Sequence, residues 1–82
     1  MGAPMNPRPT SVTPLPDYRL LITFQNGERR VFDAKPLLHS PLYAALQNKA
    51  FFQTAQADGM CVFWNDEIDL CPDTCYLDST PA

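Results

Sequence analysis

Seven residues, Tyr18 to Phe24 (Tyr-Arg-Leu-Leu-Ile-Thr-Phe), constrain the fold more than any other stretch of this chain. Tyr18, Leu20, Ile22 and Phe24 fall at every second position, which in a strand places them on one face. Leu21 falls on the opposite face, so that face is partly covered too. Gln25-Asn26-Gly27 follows directly. Asn-Gly is a strong hairpin signal, because both residues tolerate the positive φ of a tight turn. Glu28 to Asp33 then reads as the return strand, with Val31 and Phe32 at its apolar end. The hairpin fixes an antiparallel sheet as the starting point of the fold.

Residues 1–10 are proline-rich and polar, with nothing to bury, and are expected to form a disordered arm. Ser11 to Pro16 holds Val12 and Thr13 between prolines that cannot donate ladder hydrogen bonds, which limits it to a short edge strand. After the hairpin, Asp33 can accept from the amides that follow it and cap a single turn. Ser40-Pro41 reads as an N-cap and first helical position, opening a helix with Leu42, Ala45 and Leu46 on one face and Asn48 as its stop. Lys49 to Gln53 reads as a second short turn that drops Phe51 or Phe52 into the core. Thr54 to Ala57 is a weak strand candidate and Asp58-Gly59 a turn. Met60 to Trp64 is apolar on both faces and is expected mid-sheet. Asn65-Asp66 turns the chain, Glu67 to Leu70 alternates acid and aliphatic, and Pro72 to Tyr76 starts a final helical turn. The fold expected is α+β: a small antiparallel sheet of about four to five strands built from two hairpins. One short helical segment packs across it, and a helical turn ends it. The folded domain is expected over 11–79, with 80–82 a tail.

At 82 residues the chain is one small domain. Its charge is unevenly spread. Residues 1–57 carry all six basic residues and three acids, a balance of +3, while residues 58–82 carry six acids and no base, a balance of −6. Such a split favours docking onto a charged partner or mutual neutralisation inside the fold. No apolar run is long enough to span a membrane. Met1-Gly2-Ala3-Pro4 lacks the basic and then apolar pattern of a secretory signal. Three cysteines is an odd count, which argues against a closed disulfide framework and suits a reducing cytoplasm.

Each candidate for chemistry has a structural competitor. Cys61, Cys71, Cys75 and His39 are the conceivable zinc ligands. Only Cys71 and Cys75 have ligand-pair spacing, and Cys61 falls within an apolar strand, so the thiols read as small hydrophobes. His39-Ser40 reads as a cap and its neighbour rather than as a base and nucleophile. No catalytic, metal or cofactor residues are therefore expected. Asp66, Glu67, Asp69 and Asp73 fall within eight residues, without the spacing or turn glycine of a calcium loop. They read as a solvated rim, with Asp73 near a helix start, and as a candidate acidic docking face. Arg19, Arg29 and Arg30 form a candidate basic patch. It is too small, in an acidic chain, to predict direct nucleic-acid binding.

A set of motifs resembles a known family. They are Pro14-Leu15-Pro16-Asp17-Tyr18-Arg19-Leu20, Phe24-Gln25-Asn26-Gly27-Glu28, Phe32-Asp33-Ala34-Lys35-Pro36-Leu37-Leu38, Phe51-Phe52, Val62-Phe63-Trp64 and Ile68-Asp69-Leu70-Cys71-Pro72-Asp73-Thr74-Cys75-Tyr76. Over about residues 11–79 the chain resembles the small bacterial domain-of-unknown-function (DUF) family 2442. The resemblance implies a compact α+β domain with no established catalytic residues. Some members are joined to a helix-turn-helix and others sit beside a second small protein in a toxin–antitoxin-like arrangement. Here Cys75 stands where an aliphatic residue is common, and no helix-turn-helix is expected. The expectation is a cytoplasmic, non-enzymatic interaction module, regulatory or antitoxin-like, whose partner is another small bacterial protein. The alternative is an acidic charge-mimic inhibitor of a nucleic-acid-binding protein. A homodimer through an exposed sheet edge is also expected as an option.

Overall fold

A computed structural model describes residues 6–82, so the first half of the expected N-terminal arm lies outside the described residues. The hairpin is present. Its strands are β2 (Arg19–Phe24) and β3 (Arg29–Asp33), antiparallel with Leu20 opposite Phe32 and Ile22 opposite Arg30. Leu20, Ile22 and Phe24 are fully buried, as the period of two requires. The turn differs from the simplest expectation. Gly27 donates to the Phe24 carbonyl, and Gly27 alone in the turn has positive φ, at 88°. The connection is thus a three-residue loop closed by a left-handed glycine, and the Asn26 side chain accepts from the Glu28 amide at 3.0 Å.

β1 (Pro9–Leu15) is the edge strand, antiparallel to β2. It begins two residues earlier than expected, so Pro9 and Thr10 belong to the sheet and not to the arm. The register shifts between Pro9 and Ser11, and the Thr10 hydroxyl donates to the Thr23 carbonyl at 3.1 Å. An edge tolerates this bulge and both strand prolines, because the missing donors face away from β2. Asp17 and Tyr18, with φ of 67° and 58°, turn the chain from β1 into β2. Tyr18 therefore precedes the strand, yet its ring still packs edge-on against Phe52, with centroids 5.2 Å apart.

Residues 35–47 are wound as two 3-10 helices, Lys35–His39 and Pro41–Gln47. Asp33 caps as expected, its carboxylate accepting from the Lys35 amide at 3.0 Å. Ser40 stands at the N-cap position, but its side chain makes no capping bond. Prolines at the starts of both segments remove donors, and each segment is too short to favour the wider α spiral. The consequence is a corrected face. In a 3-10 helix i and i+3 eclipse, so Tyr43 and Leu46 turn inward while Leu42, 63% exposed, and Ala45 face solvent. Asn48 ends this segment and starts the next. Its side chain accepts from Ala50 and Phe51 at the head of α1 (Lys49–Phe52), and Phe52 enters the core.

The second half of the chain builds a separate three-stranded sheet, β4 (Gln56–Ala57), β5 (Val62–Phe63) and β6 (Asp69–Leu70), with β5 in the middle. Val62 pairs with Leu70 and both are buried. α2 (Pro72–Leu77) follows, and β7 (Ser79–Pro81) returns to pair with β3, completing the order β1-β2-β3-β7. The fold is α+β, with seven strands in two sheets among the described residues rather than four or five in one, and the expected tail is mostly β7. One core runs through both sheets, from Leu20, Ile22, Phe24 and Phe32 to Leu46, Phe52, Val62, Trp64, Ile68, Leu70 and Cys75. The Trp64 indole donates to the Phe52 carbonyl at 2.9 Å, tying the small sheet to α1.

Candidate functional site

The acidic residues lie where β5 turns into β6 and onward into α2. Asn65 builds that turn. Its side-chain oxygen accepts from the Glu67 and Ile68 amides, each at 2.8 Å, and Trp64 donates to the Ile68 carbonyl. Ile68 and Leu70 point into the core, which forces Asp66, Glu67 and Asp69 outward, and all three are exposed. Among the described residues none of the three is in a salt bridge, and none of their carboxylates has a hydrogen-bond partner. Only the backbone carbonyl of Asp69 is used, by the Tyr43 hydroxyl at 3.1 Å. Burial, with Asp69 nearby, pushes the Tyr43 phenol above its ordinary pKa. Asp73 is exposed in the first turn of α2 and accepts from the Asn6 side chain at 3.2 Å. Cys71, not Asp73, stands at the N-cap position. No three His, Cys, Asp or Glu side chains are grouped as metal ligands among the described residues. The four acids thus line a rim instead of converging on a point.

The basic trio is not a patch. Arg30 sits opposite Ile22, on the core-facing side of the hairpin. Its guanidinium donates to the Ser79 hydroxyl at 2.8 Å and to the Ser79 carbonyl at 2.6 Å, and lies 4.7 Å from the Tyr76 ring centroid. Arg19 faces Asp33 across the ladder, not Arg29, and Arg29 faces Thr23 at the other end. Lys35 is also engaged. Asp17 first and Asp33 second hold its ammonium above the ordinary pKa, with both pairs at 3.2 Å. The Lys35 amide in turn holds the Asp33 carboxyl below its usual range.

The remaining candidates are dispersed. His39 is exposed at the end of the first 3-10 helix. The three cysteines are free thiols in three environments: Cys75 fully buried, Cys61 half-buried and Cys71 exposed. Burial pushes Cys75 up to about 12. Two clefts escaped the sequence reading. One, of about 520 Å³, lies between the β1–β2 turn and α1, lined by Pro14, Leu15, Tyr18, Lys49 and Phe52 among others. The left-handed Asp17-Tyr18 pair that shapes it leaves no sequence signal, because neither residue is glycine. The second, of about 290 Å³, is lined by Arg8, Met60, Cys61, Asp69, Leu70, Cys71 and Pro72.

Compared with known proteins, residues 9–80 match the model of a family described as a protein of unknown function, DUF2442. No curated protein and no solved structure matches.

Proposed function

The chain belongs to the DUF2442 family, and we propose that this member is a non-enzymatic interaction module. In this reading it is a regulatory or antitoxin-like partner of another small bacterial protein, and it docks through the acidic rim. One observation supports the reading above the rest: Asp66, Glu67 and Asp69 are exposed, their carboxylates have no ion-pair partners among the described residues, and Asn65 rather than those carboxylates holds the turn. Two of the basic residues are committed elsewhere, Arg30 to Ser79 and Lys35 to Asp17 and Asp33. Uncompensated surface charge of one sign speeds encounter with a partner of the other sign and selects against wrong partners.

The test is affinity capture from the native host with the tagged chain and with a variant carrying Asp66→Lys, Glu67→Lys and Asp69→Lys. The reading expects a stoichiometric, salt-sensitive partner on the unaltered chain that the variant fails to retain. Recovery of no stoichiometric partner, or equal recovery by both chains, would count against it. A partner that binds nucleic acid, and that nucleic acid displaces from the chain, is the result that would favour the charge-mimic form of the same docking.

A further inference from the structure

Cys61 and Cys71 flank the paired ends of β5 and β6 and line the same cleft. β5 and β6 pair Val62 with Leu70 and Phe63 with Asp69. Continued by one position beyond Val62 and Leu70, that register would set Cys61 opposite Cys71. The type of rung follows from the hydrogen bonds. Trp64 donates to Ile68, so the even-numbered residues of β5 turn their polar groups towards β6. Cys61 does the reverse: its carbonyl accepts from the Asp58 amide on the β4 side. A Cys61/Cys71 rung would therefore be of the non-hydrogen-bonded kind, in which opposed Cα atoms approach to about 4.5 Å and the side chains are closest. That spacing lies at the near edge of the range a disulfide spans. Val62 and Leu70 face the core, so both thiols project to the outer face, where both line the 290 Å³ cleft with Arg8 at its wall.

We infer that Cys61 and Cys71 form a redox-active dithiol that closes to a cross-strand disulfide by exchange with low-molecular-weight disulfides. The exposed Cys71 thiolate attacks one sulfur of the incoming disulfide, forms a mixed disulfide and expels one thiolate. Cys61, once deprotonated, then attacks the Cys71 sulfur and expels the second. Two protein thiols are oxidised and one small disulfide is reduced to two thiols. The order follows from the surroundings. Cys61 is half-buried, and burial, with Asp58 and Asp69 adding to it, raises its thiol pKa, which suits the later, intramolecular step. The cleft is lined by both Arg8 and Asp69, so its charge selects no single class of disulfide, and oxidised glutathione serves as a general low-molecular-weight probe. Cys75, buried within the core, takes no part. Closure would tie the head of α2 to β5, next to the acidic rim.

The experiment incubates the full chain with oxidised glutathione and reads intact mass and free-thiol count, alongside Cys61→Ser and Cys71→Ser. Both positions lie outside the core, so the variants should fold. The expected result is an internal disulfide in the unaltered chain, with two thiols lost and no adduct retained. Cys71→Ser should give no internal disulfide, and Cys61→Ser should stop at a glutathione adduct on Cys71. A persistent adduct on the unaltered chain, a disulfide-linked dimer, or an internal disulfide surviving in either variant would overturn the inference. Chymotryptic cleavage gives a second check. A Cys61–Cys71 bond joins two peptides, because Phe63, Trp64 and Leu70 intervene, whereas a Cys71–Cys75 bond stays within one.

Discussion

At the scale of single residues, two adjacent arginines of one strand have opposite roles. Arg29 is exposed on the outer side of β3, while Arg30 turns inward to bridge β7 and the Tyr76 ring. Arg30→Ala removes two hydrogen bonds and a ring contact from a half-buried site, and should cost about 1–3 kcal/mol of folding stability. Arg29→Ala should stay within about 0.5 kcal/mol. Urea denaturation of both variants checks the contrast, and equal losses would contradict it. Asp58 gives a pH-dependent case. The Cys61 amide first, then the Met60 amide, hold its carboxyl below the ordinary value of 3.8. A carboxyl lowered in the folded state stabilises the fold above its unfolded pKa, and the contribution is lost as pH falls through the folded value. Asp58→Ala should therefore be less stable than the parent at pH near ~7, with the gap narrowing below the carboxylate range of about 4. A gap that is unchanged in acid would show that the capping carboxylate is not its source.

At the scale of elements, legibility followed period and length. The first hairpin was readable because its alternation extends over Leu20, Ile22 and Phe24 and ends in Asn-Gly. The segment from Pro41 to Gln47 was not, because residues three apart share a face in an α-helix and a 3-10 helix alike, and only the winding decides whether residues four apart do. The choice between Leu42 and Tyr43 as the inward residue depends on the winding. β7 was not readable at all: Ser79-Thr80-Pro81 has no alternation, and its place is set by Arg30 and by the Ala82 amide donating to Arg29. The winding can be tested directly. Leu46→Ala empties a fully buried site and should cost about 2–5 kcal/mol, whereas Leu42→Ala should cost less than about 0.5 kcal/mol. An α-helix with the face read from sequence would make both substitutions expensive. The N-cap of α1 belongs to the same scale. Asn48→Ala leaves the Ala50 and Phe51 amides without their acceptor, and should cost about 1 kcal/mol in the same urea experiment.

At the scale of the whole molecule, the split of charge between the halves remains a surface property. The fold neutralises little of it, because the lysine and arginine contacts stay within the basic half or go to Ser79 rather than to an acid. The outward set of acids was readable from Glu67-Ile68-Asp69-Leu70, since burying the two aliphatics leaves only one direction for the acids. The basic trio failed for the complementary reason: alternation places Arg29 and Arg30 on opposite faces, and only packing against Tyr76 shows that the inner one is occupied. The two clefts failed because each is made by segments distant in sequence. If the acidic rim is a docking surface and not part of the scaffold, reversing it should leave the fold intact. Asp66→Lys, Glu67→Lys and Asp69→Lys together change the formal charge by two units each, from −3 to +3. Exposed positions without intramolecular partners carry little folding energy, so the denaturation midpoint should hold to within about 0.5 kcal/mol per site. Relief of like-charge repulsion in the acidic half pushes it, if anything, upward. A large loss of stability in this variant would place the carboxylates in the scaffold, and docking through the rim would lose its physical basis even if partner capture also failed.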